Sequence, residues 1–516
     1  MDWQKAGENI EKLEAGLDCS QFAVNGVTMW PLIRYYAYFD LVRVRFPNPP
    51  KKLPSQNILR MLELDVASSE RAIKIAEPLN GGSVFFTRPE EFSQEIGGRL
   101  FNPYLDAIWN IADTLGPTAR VEIDVGQNLP RVTSARRFYP SRYFSSCSFI
   151  RAQVSGLGRS LEIEGCSAVH SALENVFERS FDYFPYENML REFIGYFEFY
   201  NILLARLEPD FVFSVSVGDL RSAGLFAAAR SLGIRSVEIQ HGLIRGLGEA
   251  RYRKWPSYPT NGFDVLPDFF WTHDIRSALT IDDWGIPQHR SVVGGQPNFD
   301  WLRKKEGLLG DQLSILKSKI SPDQTVVLVS LSSGKISKVL VEAMRELGES
   351  AFFLIRIHPV FTKIRNENNW KLCAQETMME NERQVFLSFA TEGPVTEEFF
   401  ELEGICNCDL RSASTIPLQF LLDISNVHVT HHSNTAAEAA AFGVPTYFSE
   451  KASVVGFEDF QAASMYDVFS SADDLVQKIR AIDLVELSPI KTVFQGQIKI
   501  DNETARNALC EIYSAE

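Results

Sequence analysis

Three apolar runs end in side chains that could do chemistry. Ile239 is followed by Gln240, His241 and Gly242: an amide, an imidazole and a residue whose missing side chain lets the backbone approach a ligand. Such a turn can hold a sugar or a phosphate, although a histidine satisfied inside the turn would leave the same letters. A second run ends Arg356-Ile357-His358-Pro359, where proline cuts the ladder and lets Arg356 and His358 project beyond a strand. Cations there suit a phosphate or diphosphate leaving group. A third run ends at His431, His432, Ser433, Asn434 and Thr435, after which small residues begin a helix. Hydroxyls, an amide and free backbone N–H groups at a helix start favour a phosphate, and Glu438 could accept hydrogen bonds from ribose hydroxyls. Thr435-x-x-Glu438 also spells a capping box, which stabilises a helix with no ligand at all.

Ser330 to Lys335 reads SLSSGK, offering Ser332, Ser333, Gly334 and Lys335 at another strand end. It is not the G-x-x-x-x-G-K-[ST] loop of nucleotide hydrolases, and no G-x-G-x-x-G fingerprint follows a strand, so ATP hydrolysis and nicotinamide chemistry lack support. Candidate general bases are Asp219, at the end of VFSVSVGD, and then Glu90, after VFFTRP, with Asp106 further along. A carboxylate at a strand end can reach an acceptor hydroxyl.

These residues need elements to position them. From about residue 81, apolar runs alternate with helical periodicity: SVFFT, PYLDAIWNIADTL, RVEIDVG, then PDFVFSVSVGD, LRSAGLFAAARSLGI and SVEIQHG. Such alternation predicts parallel sheets covered by helices. A second series runs TVVLVSLSSGK, KVLVEAMRELG, AFFLIRIHP, IPLQFLLDIS, VHVTHHS, NTAAEAAAFG and VPTYFSE. The expected fold is therefore α/β, with two Rossmann-like doubly wound domains facing a cleft and a helical N-terminal extension. The expected ranges are 1–80 for the extension, 81–305 for the first domain and 306–516 for the second. Sites on such sheets lie at the carboxyl ends of the strands.

Composition narrows the function classes. At 516 residues the chain exceeds one core; 45% apolar and 23% charged residues are ordinary for a globular enzyme. A formal charge of -15, with no basic stripe to offset it, argues against nucleic acid as a partner. The polar start MDWQKAGENIEKLEAG lacks a signal peptide's form, and no stretch of about 18 apolar residues occurs. Seven scattered cysteines fit reduced thiols, so a cytoplasmic location is expected. Cys406 and Cys408 form a C-x-C pair with no second pair of matching spacing, a weak signal for zinc. Residues 27–46 form an aromatic helix with basic flecks, suited to core packing or to an interfacial membrane contact.

The patterns A-A-A-R-x-L-G-I-x-x-V-E-I-Q-H-G, R-I-H-P and S-N-T-A-A-E-A-A-A-F-G-V-P-T together resemble GT-B glycosyltransferases of bacterial capsule and lipopolysaccharide assembly. Among these the patterns resemble Kdo and sialic acid transferases with a His-Pro and a later Ser/Thr motif, and more distantly polyol phosphate transferases of teichoic acid synthesis. It spans about residues 80–480.

The resemblance implies a nucleotide-sugar donor, CMP-Kdo or similar, as co-substrate with no separate cofactor, and a glycan or lipid-linked glycan acceptor. The candidate donor-site residues, read from the strand ends, are Gln240, Gly242, Ser332, Ser333, Gly334, Lys335, Arg356, Pro359, His432, Ser433, Asn434, Thr435 and Glu438. His358 and Ser433 to Thr435 match the grip on the donor phosphate, and Asp219, Glu90, His241 and His358 are the catalytic candidates. No Asp-x-Asp pair stands at a strand end, although Asp282 and Asp283 are adjacent, so a metal-independent reaction is expected. The resemblance also implies a peripheral position at the inner face of the cytoplasmic membrane. An epimerase or hydrolase of nucleotide sugars on the same fold, or a non-catalytic polysaccharide-assembly subunit, is the alternative.

Overall fold

The computed structural model describes residues 3–42, 45–47, 78–87, 93–123, 132, 138–141, 162–215, 220–242, 244, 252, 254–255, 258–331, 335–357, 391–431, 433–449, 454, 457, 465–482 and 498–515. Two parallel sheets organise it. The first contains β1 (Ser83–Thr87), β2 (Thr118–Ile123), β3 (Phe138–Ser141), β4 (Phe211–Val215), β5 (Arg235–Ile239), β6 (Phe269–Thr272) and β7 (Arg290–Val293). Its order is β7-β6-β5-β4-β1-β2-β3, with every pairing parallel. The second contains β8 (Thr325–Leu331), β9 (Ala351–Ile357), β10 (Cys408–Asp409), β11 (Val427–Thr430), β12 (Thr446–Phe448) and β13 (Tyr466–Val468), ordered β10-β9-β8-β11-β12-β13 and again all parallel. Each is a doubly wound Rossmann-like sheet that reverses direction beside its first strand, at β1/β4 and at β8/β11.

The strands read as continuous apolar runs because helices cover both sheet faces. All five residues of β4 and all seven of β9 are buried. Arg356 and Ser330 are polar exceptions near strand ends, where a cleft can use them. His428 is an exception inside the sheet: its ring lies 2.9 Å from Ser330 Oγ and 3.0 Å from Thr446 Oγ1, and burial lowers its pKa to about 3. It is a core histidine.

Two N-terminal helices, α1 (Trp3–Ala15) and α2 (Trp30–Val42), share one hydrophobic core with α3 (Glu187–Leu207) and α4 (Leu220–Ser231) of the first domain. Ten of the thirteen residues of α2 are buried, including Arg34, whose Nε lies 2.9 Å from Glu14 Oε1 and whose guanidinium sits 3.8 Å over the Trp255 ring. Core packing is thus what this aromatic segment does. Among the described residues no helix is long and apolar enough to cross a membrane.

The helix α3 packs along α4, which is buried nearly all round. Gly224 permits this approach, since a Cβ there would stand 2.6 Å from that of Tyr196.

The last helix, α5 (Asn502–Ser514), falls within the range 306–516 expected for the second domain but packs on the first. Ala505, Ala508, Leu509 and Ile512 join Phe85, Phe213 and Trp271 in one cluster, and Tyr513 lies 2.8 Å from Ser83 Oγ. Asp501 caps it, accepting from Thr504 N at 2.7 Å. The helix Asn298–Arg303 bridges the domains: Trp301 stacks on Phe101 and Phe299 packs edge-on against Phe442.

Candidate functional site

The carboxyl ends of β5 and β9 and the start of the helix after β11 meet between the two sheets. From the first domain come Tyr104, His241 and Gly242; from the second come Arg356, Asn434 and Glu438. Tyr104 and His241 pair with ring centroids 5.0 Å apart. Gly242 faces Asn434 closely enough that an added Cβ would stand 2.5 Å from Asn434 Nδ2. Glycine therefore allows the turn to touch the other domain.

Arg356 is buried at the end of β9, and its Nη1 donates to the carbonyls of Ala413 at 2.8 Å and Ile416 at 2.7 Å. Those carbonyls belong to the single-turn helix Arg411–Thr415 and the residue that follows it, acceptors of the kind that a helix end leaves unpaired. Burial lowers its pKa to about 10, against the opposing pull of Glu438, and it stays charged at neutral pH. Glu438 keeps a little exposed surface, but protein surrounds its carboxyl on most sides. Burial pushes it up to about 7, with Arg356 pulling it back. Near neutrality it is therefore poised between acceptor-only carboxylate and proton-bearing acid. Tyr104 is raised above its ordinary range, first by burial and then by the nearby charge of Glu438, so its phenol stays neutral.

The segment before the helix differs from a capping box. Asn434 occupies the cap position without a side-chain cap hydrogen bond, and Thr435 is the first residue of the seven-residue helix Thr435–Ala441. Ser433 Oγ instead accepts from Thr435 N at 3.2 Å and donates to Thr435 Oγ1 at 3.0 Å. Glu438, one turn in, interacts with Arg356 and Tyr104 of the cleft. Neighbouring His431 lies 2.7 Å from Ser449 Oγ.

Gln240 is buried, and both ends of its amide are engaged. Its Oε1 accepts from His273 N at 2.8 Å and its Nε2 donates to the Gly242 carbonyl at 2.7 Å. It holds the turn's shape. Of Lys335 only the backbone is described, in an antiparallel pairing with Pro394. Glu90, Asp219, Ser332, Ser333, Gly334, His358, Pro359 and His432 lie outside the described residues.

Three acids considered from sequence have structural partners. Asp106 pairs with Arg120 and accepts from Asn102 N at 3.0 Å, while Arg120 Nε lies 3.1 Å from Glu122 Oε1. Asp282 accepts from Ser291 N at 2.9 Å, whereas Asp283 lies exposed 3.6 Å from Lys254. Among the described residues no three His, Cys, Asp or Glu side chains converge as metal ligands would. Tyr104 is the cleft residue that sequence reasoning missed: it stands alone in a loop, shaped by Asn102 Oδ1 accepting from Tyr104 N and Leu105 N at 3.0 Å each.

The fold defines a GT-B-type protein of two Rossmann-like domains. No protein-family model matches the sequence, and no curated protein matches it. Among solved structures, a UDP-GlcNAc 2-epimerase from Neisseria meningitidis bound to UDP-GlcNAc is similar at 13% identity, covering 84% of this chain and 98% of that one, with a TM-score of 0.48. The UDP-GlcNAc 2-epimerase of Methanocaldococcus jannaschii gives 11% identity, 84% and 98% coverage and a TM-score of 0.47. A variant of the wall teichoic acid polymerase TagF soaked with CDPG gives 11% identity, 88% and 93% coverage and a TM-score of 0.43. The assignment of fold rests on the strand order of the two sheets.

Proposed function

We propose that this chain is a metal-independent glycosyltransferase, moving a sugar from a nucleotide-activated donor, CMP-Kdo or similar, to a glycan or lipid-linked glycan of a growing surface polysaccharide. The observation that carries the reading is the meeting of Tyr104, His241 and Gly242 with Arg356, Asn434 and Glu438 at the carboxyl ends of two Rossmann-like sheets. In this reading Arg356, fixed by two carbonyls, and His358 offset the charge that develops on the departing phosphate. Glu438 accepts from the nucleotide's ribose hydroxyls, and Ser433 to Thr435 take the phosphate. His241, steadied by Tyr104, faces the sugar. Asp219 or Glu90 removes the acceptor's proton from the first-domain side.

The test is a melting panel with CMP, UDP, GDP, CDP and ADP, because a ligand that binds only the folded state raises the melting point by mass action. Product formation with the matching nucleotide sugar follows, with and without an oligosaccharide acceptor and in the presence of a chelator. Stabilisation by one nucleotide, and glycosidic product only with acceptor, support transfer. Nucleotide or epimer release without acceptor would replace it with hydrolysis or epimerisation. Stabilisation by none of the five would leave a non-catalytic assembly subunit. Loss of turnover in chelator, restored by magnesium or manganese, would overturn the metal-free mechanism.

A further inference from the structure

The carboxyl ends of β5, β6 and β7 are joined by one buried polar chain, of which the transfer reading leaves His273 and Gln296 without a role. It begins at Gly242, whose carbonyl accepts from Gln240 Nε2 at 2.7 Å. Gln240 Oε1 accepts from the backbone N–H of His273 at 2.8 Å, and Gln240 N donates to the carbonyl of Trp271 at 3.0 Å. The His273 ring continues the chain, with Nδ1 lying 2.7 Å from Gln296 Nε2. Gln296 N then donates to the Lys499 carbonyl at 2.7 Å, in the segment that returns from the second domain to α5. Gln240, His273 and Gln296 are all buried.

The arrangement is costly for a purely structural one. Gln296 Oε1 is buried with no hydrogen-bond partner among the described residues, a loss that an apolar side chain there would avoid. Burial also lowers His273 to about 4, so its ring is neutral at working pH and the chain does not titrate there. What it fixes is geometry: Gln240 sets the peptide plane of the turn, and the turn meets Asn434 across the cleft.

We infer that His273 and Gln296 are positioning residues for the site: the contact between their side chains anchors residue 273, whose backbone N–H holds Gln240, so that the His241–Gly242 turn keeps its place against Asn434. The activity arm of the test rests on the transfer reading above; the exchange arm does not. His273→Leu removes the ring nitrogens, whereas His273→Asn keeps an acceptor near the place of Nδ1. For the leucine variant, turnover falls about tenfold or more, as expected when a reacting group loses its alignment, while affinity for the stabilising nucleotide, measured by calorimetry, stays within about threefold. Hydrogen–deuterium exchange of the peptide containing residues 240–242 becomes faster. His273→Asn recovers most of the turnover and the slow exchange.

Wild-type exchange across residues 240–242 in His273→Leu would overturn the inference, as would an asparagine variant as impaired as the leucine one. If His273→Leu fails to fold, Gln296→Met breaks the same chain one link later, and the same two outcomes decide. A wild-type protein with no transferase activity would sink the transfer reading alone, leaving exchange to judge the positioning role.

Discussion

The two walls of the cleft are built on the same doubly wound plan but hold their polar groups differently. On the first-domain wall Gln240 and Gln296 carry no ionisable group, burial lowers His273 to about 4, and the three are linked: Gln240 to the Gly242 carbonyl and the His273 backbone N–H, the His273 ring to Gln296. On the second-domain wall they are ionisable and enclosed, with burial lowering the pKa of Arg356 and raising that of Glu438. The same fold thus supplies one wall whose hydrogen-bonded frame does not titrate near neutral pH and one whose charge state is tuned. A ligand with an anionic part and a neutral hydroxylated part would meet each wall with the matching half.

The strongest way to break this contrast is Arg356→Leu. It strips the cation from a buried site, leaves the Ala413 and Ile416 carbonyls without its Nη1 and removes the charge that restrains Glu438. A buried acceptor left without its donor costs about 1–3 kcal/mol, so losing both contacts should cost roughly 2–6 kcal/mol, and denaturant unfolding should register a loss of that size. An unchanged midpoint would mean that the charged wall is more open to water than its burial indicates.

Glu438→Gln sharpens the comparison through pH. The folded-state value of about 7 lies above the ordinary 4.5, so the native state favours the proton. That contribution to stability is complete below pH 4.5 and is lost as pH rises through 7. A tenfold change in proton affinity is worth roughly 1.4 kcal/mol, so ionisation costs up to about 3 kcal/mol, which glutamine escapes. The variant should match the wild type near pH 4 and exceed it at pH 8 in equilibrium unfolding; equal stability at both would show that Glu438 is not desolvated.

The smallest effect tests the neutral wall. A Cβ at Gly294 would stand 2.0 Å from the Trp271 ring, beside the hydrogen bond from Trp271 Nε1 to the Gly295 carbonyl. Gly294→Ala should cost about 1–3 kcal/mol by overpacking, without changing the pH profile. A shifted profile would show that the two walls are coupled more tightly than their separate hydrogen bonding suggests.

Much of this was legible in the sequence, for a local reason. Runs such as FVFSV, VVLVSL and AFFLIRI are buried on both sides, so they carry the parallel-strand signature in their own letters, and the residues just after them fall at strand ends by construction. That is how Gln240, His241, Gly242, Arg356 and Glu438 could be singled out. The roles of Gln240 and Tyr104 were not legible, because each depends on partners far along the chain: His273 for one, His241 and Glu438 for the other. A lone tyrosine in a loop has no period to reveal it. The destination of α5 was hidden for the same reason, since a helical stripe of Ala505, Ala508, Leu509 and Ile512 says that something is covered without saying what.

The docking of α5 on the first domain bears on how the protein is made. The face of the first sheet around Phe85, Phe213 and Trp271 is complete in sequence long before residues 502–514 emerge from the ribosome. Until α5 is made, the helix Asp106–Ala112 covers only part of that face, so the cluster closes fully only after the second domain has been synthesised.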